Sequence, residues 1–599
     1  SPTSAPGAER ERPLTPYPLP SFEGRGGVDH REHCEDMRGR AATSGEGYPA
    51  AVSVVRVIPL GGVGEIGKNC TVVEHEEDMI VIDVGLSFPT EEMFGVDIVI
   101  PDFTYLIENK KRLRGIFLTH AHEDHVGALP YLISQIDCPI YATEFTHAMI
   151  RMKLEEKVDL RGVKLETMAP GDIIEVGSLS VEPIRLTHSI PENCAMAVRT
   201  PHGVVLFTGD FKFDFTPVDG KLSNINRLAD LGKEGVILLL SDSTNVERPG
   251  WGPSERIVRD GYLSAFSNAP GRVLITTFAS NIHRMQQAFD VAAETGRKVA
   301  VAGRRMEQTL DLCTRLGYLQ PRRDVRIRLD EVNSHTPDKI VILTTGSQGE
   351  PMSALVQMSK QEYSRMRIVP GDTILYSARP IPGNEAAIWR TINRLFKMGA
   401  KVVYEGSTPV HVSGHAYQEE LKMMVNLTRP YYLAPVHGEA RHQHLYLEMA
   451  RAMGYTDNRL FLLEDGQPLC MDETTGWIGE TVACGRVLVD NGGNPGITDE
   501  VLRDRSNLAN DGLISVTLAI DVERGEIVGE PMIQAKGFSG PEDALRDAGR
   551  ILGETLSGLS KEDFQDSDSV RHAAADAVRR HLHRKTQLRP LVVPSVIEV

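Results

Sequence analysis

From Val52 onward the apolar residues come in short runs broken by glycine and charge, as in VVRVIPL (54–60), CTVVE (70–74) and MIVIDVG (79–85). Runs of this length, rich in β-branched residues, predict strands of a buried sheet. Between 80 and 245, four further runs each pass into a polar cluster: GIFLTHAHEDH, LSVEPIRLTHS, GVVLFTGD and VILLLSDST. Open α/β sheets build their sites this way, with reactive side chains just past strand C-termini. From about 250 to 390 the texture changes to strand followed by helix, in RVLITTFASNIHRMQQAFDVAAE, KVAVAGRRMEQTLDLCTRLG, KIVILTTGSQGEPMSALVQM and DTILYSARPIPGNEAAIWRTINRLF. That alternation predicts a parallel sheet with right-handed crossovers, a separate doubly wound domain. KVVYEGSTPVHVSGH and YYLAPVHG then end in histidines, as the first region's strands do, so the chain is expected to return there and the middle segment to be an insertion.

This pattern divides the chain into a first core segment (51–250), an insertion (251–395), a second core segment (396–480), a linker (481–505) and a small C-terminal α+β domain (506–599). Residues 1–50, rich in Pro, Gly, Ser, Arg and Glu without apolar periodicity, are expected to be a disordered extension. A chain of 599 residues is too long for one core, which agrees with several folding units.

Composition narrows the class. With 41% hydrophobic residues and a mean hydropathy of −0.21, the chain has no apolar run near the roughly 18 residues that span a bilayer. The first 50 residues also lack a secretory apolar stretch, so a cytoplasmic enzyme without membrane contact is expected. Seven scattered cysteines, never in C-x-x-C spacing, point to buried thiols rather than disulfides or a zinc ribbon. A net charge of −17 excludes a protein that coats nucleic acid by bulk charge, but leaves room for a local cationic groove.

The chemistry concentrates in His120-Ala-His122-Glu-Asp124-His125, directly after a strand. Four metal-binding side chains within six residues, mixing imidazole and carboxylate, suit zinc, manganese or iron and a hydrolytic pair of ions. Two metals need about seven or eight donors, and His188, Asp210 and His437 stand at the ends of later strand-like runs. A Thr-His or Gly-Asp pair after a strand is commonly only a turn, so each is weak alone.

In this order the residues resemble the metallo-β-lactamase superfamily. Asp242 in LLLSDST, His415 in HVSGH and His437 in APVHG resemble the motifs of its β-CASP branch, which acts on nucleic acids. FASNIHR (278–284), TTGSQGEP (344–351) and PIPGNE (380–385) extend the likeness to the bacterial ribonuclease J family. Ala121 departs from it, since glycine is common there. The resemblance implies an α/β fold: a metallo-β-lactamase αββα sandwich interrupted by a doubly wound β-CASP domain, with a C-terminal α+β domain. It implies that His120, His122 and His188 hold one divalent ion, Asp124, His125 and His437 another, with Asp210 bridging, zinc or manganese serving as metal. A hydroxide activated by the two ions would attack phosphorus, Asp124 orienting it, and His415, held by Asp242, would protonate the leaving oxygen.

The resemblance also implies that His411, Val412, Ser413, Gly414 and His415 cradle an RNA phosphate, and that Ser280, Asn281, Arg284, Ser347 and Gln348 touch RNA. A calcium-type site is implied at the Gly95 carbonyl, Asp97 and Asp490. The implied activity is 5′ to 3′ exonuclease action on single-stranded RNA with 5′-monophosphate ends, plus endonuclease cleavage, in RNA maturation and decay. The implied assembly is a homodimer or homotetramer in contact with RNA-degradation machinery. Three alternatives stay open: a DNA nuclease of the same branch, a small-molecule metallo-hydrolase such as a lactonase, and an inactive RNA-binding scaffold.

Two other signals have plainer readings. Gly62-Val-Gly64-Glu-Ile-Gly67 fits a dinucleotide fingerprint, but strand-like runs follow where the fingerprint needs a helix, so a tight loop near the metal face is expected. The stretch 569–586, with Arg571, Arg579, Arg580, Arg584 and Lys585, is read as the polar face of a packing helix in preference to an RNA contact.

Overall fold

The computed structural model describes residues 53–599 apart from 91, 157, 159, 382, 405–407 and 491. The expected disordered extension, 1–50, lies outside the described residues.

The short apolar runs form two sheets. Val55–Gly61, Cys70–His75 and Asp78–Ile82 make an antiparallel meander, extended in parallel by Leu113–Phe117, Ile140–Ala142 and Leu165–Thr167 and at the other edge by Leu469–Met471 and Gly476–Ile478. The second sheet runs from Ile174–Val176 through Leu179–Arg185, Cys194–Thr200 and Gly203–Phe207 to the parallel strands Val236–Asp242 and Tyr432–Val436. Val57, Val73, Ile80 and Phe117 from one sheet meet Val181, Val198, Val205 and Leu238 from the other in a fully apolar layer. Burying each such side chain stabilises by about 1.5–3 kcal/mol. Short helices within 104–154 cover the outer face of the first sheet, and Ile225–Glu234, Gln418–Thr428 and Ala440–Ala452 cover the second, so the core is an αββα sandwich.

The insertion is a five-stranded, all-parallel sheet in the order Lys298–Ala302, Ile340–Thr344, Val273–Thr276, Thr373–Tyr376, Lys401–Val403. Its strands are apolar on both faces. Val273, Ile275, Val341 and Leu343 pack under Ile257–Asn268, Ile282–Glu294 and Arg304–Leu316, whereas Leu274, Ile342 and Ile374 pack under Ala354–Lys360 and Glu385–Lys397. That two-sided burial is what doubly wound means. The edge strand Lys401–Val403 lies beyond 395, where the sequence pattern placed the return to the core.

The stretch 481–505 departs from its reading as a linker. It carries Arg486–Asp490, paired antiparallel with Val96–Pro101, then Pro495–Ile497 and the start of the helix Asp499–Asp511. Val489 is fully buried against the core, which anchors this small sheet. Downstream, Leu513–Asp521 buries every second residue (Ile514, Val516, Leu518, Ile520) under the helices Glu542–Leu556 and Ser567–Thr586. The last helix packs through Val570, Ala574, Val578 and Leu582, while Arg579 pairs with Asp576 and Lys585 with Asp543, as a packing helix should. Among the described residues no helix is long and apolar enough to cross a membrane.

Candidate metal centre

Strand ends of both sheets meet at one point. The register Asp242↔Val436 sets His437 one residue past a strand that the chain reaches only after the insertion. There His437, at φ 50, donates its backbone N–H to Gly62 O (2.8 Å), so the Gly62–Gly67 loop does lie by this centre and is followed by strands. The His120–His125 turn follows Leu113–Phe117, with His122 standing just before the helix Glu123–Val126. Asp83, which the sequence reading passed over as part of MIVIDVG, fixes this turn. Fully buried at the end of Asp78–Ile82, it accepts from Thr119 N (2.8 Å) and Thr119 Oγ1 and takes His125 Nδ1 at 2.7 Å.

Two overlapping donor sets result. The ligand atoms of His120, His122, His188 and Asp210 all lie within 4.8 Å of one another, as do those of Asp124, His125, Asp210 and His437. Asp210 belongs to both. Tautomers follow from the neighbours. Gly414 O can only accept, so His188 donates Nδ1–H to it (2.8 Å) and its Nε2 is bare of hydrogen, a lone pair that Ser189 Oγ approaches only at 3.4 Å. Thr119 Oγ1 gives its hydrogen to Asp83, so it accepts from His120 Nδ1 (3.0 Å) and leaves His120 Nε2 bare as well. Both bare nitrogens face His122 Nδ1, at 3.2 and 2.9 Å, and one nitrogen can supply a proton to only one of them. The buried Asp210 Oδ1 makes no well-directed hydrogen bond, its near neighbour being His125 Nε2 at 3.3 Å. A cation among these atoms removes the conflict, so the donor set fits a metal.

Electrostatics divide the site. Burial holds His120 and His188 well below the ordinary imidazole pKa, and His122 down to about 4, the neutral state that metal ligation requires. Around the second set, burial opposes ionisation, but Asp210, Asp83 and Asp124 hold the His125 pKa well above its usual range, so a cation bound among these carboxylates would take the place of the proton. Burial is likewise outweighed at Asp210, where His437, His125 and His415 hold the carboxyl well below its own. His415 Nδ1 lies 2.9 Å from Asp242 Oδ2, and its Nε2 lies 3.9 Å from Asp210 Oδ2. Burial would lower the His415 pKa, yet Asp242 and Asp210 push it up to about 9.

The centre opens into a cleft of about 1670 Å³ between core and insertion, lined by His411, Val412, Ser413, Gly414 and His415. The loop's carbonyls turn into the body. Val412 O accepts from Arg284, Ser413 O from Lys212 (3.4 Å), Gly414 O from His188 and His415 O from Asn245 (3.1 Å). Gly414 is required here, since a Cβ would lie 2.6 Å from His188 Cε1. Ser280, Asn281 and Gln348 line the insertion's wall. Arg284 and Ser347 do not, being 1% exposed behind it, which corrects their reading as RNA contacts. The sequence reading missed the cations of this wall, among them Arg304, Arg305, Lys360, Arg365, Arg379 and Arg394. It also missed Thr244, whose Oγ1 meets His437 Nδ1 at 2.8 Å.

Two members of the expected calcium-type set are engaged by the protein itself. Strand pairing does bring Asp490 opposite Val96, but the Gly95 carbonyl accepts from Arg505 Nη1 (3.2 Å) and Asp490 Oδ1 accepts from Gly492 and Asn494 N–H. A guanidinium therefore occupies the Gly95 carbonyl that the calcium-type reading offered to an ion.

An αββα core whose strand ends gather seven histidine and aspartate donors, interrupted by a doubly wound domain that walls the cleft, defines a hydrolase of the metallo-β-lactamase type. Residues 63–302 match the metallo-beta-lactamase superfamily, and 400–456 match the Zn-dependent metallo-hydrolase RNA specificity domain. Residues 270–395 match the ribonuclease J beta-CASP domain, and 500–599 the ribonuclease J C-terminal domain. The chain is 42% identical over 554 residues to Ribonuclease J of Thermus thermophilus (91% of this chain, 95% of that protein). It is 38% identical over 548 residues to Ribonuclease J2 of Bacillus subtilis (91% and 99%). The chain belongs to the ribonuclease J family and is a metal-dependent ribonuclease. In fold alone it is similar to a protein of unknown function from Enterococcus faecalis, with a TM-score of 0.51 and 17% identity over 70% of this chain and all of that one.

Proposed function

We propose that the chain hydrolyses single-stranded RNA at a two-cation centre. His120, His122 and His188 hold one ion, Asp124, His125 and His437 the other, and Asp210 lies between. The observation that carries this reading is that two nitrogens without hydrogen, His120 Nε2 and His188 Nε2, both converge on His122 Nδ1, at 2.9 and 3.2 Å. Zinc or manganese bound there would neutralise charge on the phosphate and ready a water for attack. Asp124, 3.2 Å from His437 Nε2, orients that water. His415, kept protonated by Asp242, gives its Nε2 proton to the leaving oxygen. With its carbonyls turned inward, the 411–415 loop leaves an amide edge for a phosphate.

The walled cleft favours an end-on substrate, and the half-buried Ser280 would meet a 5′-monophosphate, while Asn281, which caps the helix Ile282–Glu294, and Gln348, bound to Arg379 O and Ile381 N, would shape the turns behind it. The reading is therefore 5′ to 3′ exonuclease action on such ends, with endonuclease action where the strand enters internally. Assembly as a homodimer or homotetramer, contact with RNA-degradation machinery and action in the cytoplasm belong to the same reading and rest on family likeness. The test uses metal-loaded protein and 5′-labelled RNAs ending in monophosphate, triphosphate or hydroxyl, beside single-stranded DNA of matched sequence. Fast mononucleotide release from monophosphorylated RNA, abolished in Asp124→Ala and His125→Ala, is expected. Full activity in either variant overturns the ligand assignment, and equal turnover of DNA overturns the substrate.

A further inference from the structure

Arg284 is the bulkiest of the fully buried side chains among the described residues, and all five of its N–H groups are engaged. Nε and Nη2 grip Glu255 (2.8 and 2.9 Å). Nη1 donates to Ser377 O (2.6 Å) and His411 Nδ1 (2.9 Å), and Nη2 also reaches Val412 O (3.2 Å). Its partners come from three places: Glu255 just before the helix Ile257–Asn268, Ser377 just past the strand Thr373–Tyr376, and the 411–415 loop. Arg284 itself sits in the first turn of Ile282–Glu294, so it joins the insertion's frame to the loop that faces the metal centre.

Neutralising Glu255 would need only a positive charge, which lysine supplies. Fixing an imidazole and a carbonyl of one loop in a set position needs the planar fork of a guanidinium. The loop's displacement would carry far, because its next residues are Ser413, whose carbonyl takes Lys212, Gly414, whose carbonyl takes His188, and His415, paired to Asp242. We propose that Arg284, anchored by Glu255, is a positioning residue for the reaction. It holds the 411–415 loop in register so that His415 Nε2 meets the leaving oxygen, and it makes no contact with RNA. This rests on the reading of His415 as the proton donor.

The test compares Arg284→Lys, Glu255→Gln and His415→Ala on single-stranded RNA and on bis(p-nitrophenyl) phosphate, whose nitrophenolate leaves without a proton. His415→Ala should lose roughly 10²- to 10⁴-fold in kcat on RNA and little on the aryl diester. Arg284→Lys should lose on the order of tenfold or more on RNA, with the aryl diester largely spared, unchanged metal content and faster amide exchange confined to 411–415 in the metal-loaded protein. Wild-type kcat and KM on RNA would show that Arg284 only neutralises Glu255 and would overturn the proposal. So would an equal loss on both substrates, or unaltered exchange in the loop. Where Arg284→Lys does not fold, Glu255→Gln is judged by the same outcomes, and if neither folds Arg284 holds the fold rather than the loop and the proposal falls. Equal losses in His415→Ala on both substrates would instead sink the proton-donor reading itself.

Discussion

Identical imidazoles do opposite work in this centre because their neighbours differ. His188 faces a carbonyl and other imidazoles, and burial keeps it neutral with a bare nitrogen, whereas His415 faces Asp242 and Asp210, which overcome burial and keep it protonated. The sign of a pH effect follows. A donor whose pKa is raised to about 9 is lost as pH climbs through that value, so turnover should fall on the alkaline side. Asp242→Asn removes the largest charge that raises it, so the alkaline fall should begin at lower pH while the acid limb stays where it is. A kcat profile against pH checks this, and an alkaline limb that does not move would dissociate Asp242 from the proton donor. Residues that act through others were hard to see in the sequence. His120, His122, Asp124 and His125 declare themselves by their spacing, whereas Asp83 is a single aspartate closing an apolar run, a pattern shared with countless turns.

At the scale of elements, the ends of strands were legible and what braces them was not. The runs ending in HAHEDH, THS, TGD, SDST and PVHG all deliver their polar residues to one place, because strand C-termini of two packed sheets share an edge. Arg284 misled because an arginine in the first turn of a helix after a strand looks the same whether it awaits an anion or clamps a loop, and only burial separates the two. The stretch 481–505 read as a linker because its strands are short and half exposed, buried only at Leu488 and Val489. The 411–415 loop carries the sharpest element-scale expectation. Gly414→Ala would put a methyl 2.6–2.7 Å from the His188 ring, so either the ring or the loop must move. A supporting contact of a metal-binding histidine typically controls 10- to 100-fold in affinity or activity. Gly414→Ala should therefore bind metal about tenfold or more weakly by competition with a chelator, with an unchanged far-ultraviolet circular dichroism spectrum. Undiminished metal affinity would mean that the Gly414–His188 contact supports nothing.

Across the whole molecule, charge is distributed against the average. The chain carries a net −17, yet the insertion presents Arg304, Arg305, Lys360, Arg365, Arg379 and Arg394 to the cleft, opposite a core wall that holds Asp124, Asp210 and the candidate cations. A net-negative chain repels RNA at long range, and the cations of this wall supply a local attraction on the path that leads to the centre. Such affinity must be salt-dependent, because each phosphate neutralised on a single strand contributes about 0.7 to the slope of log affinity against log salt. Lys360 and Arg394 lie on the insertion's wall and take no part in the donor sets described above. The double substitution Lys360→Gln/Arg394→Gln should therefore lower that slope by about 1.4 and weaken RNA binding most at low salt. Turnover of bis(p-nitrophenyl) phosphate, too small to reach the far wall, should be unchanged. Filter binding of a single-stranded RNA from low to high salt, beside the aryl diester assay, measures both. An unaltered slope would place the RNA path elsewhere, and a matching loss on the small diester would mean that the two side chains support the centre rather than the strand.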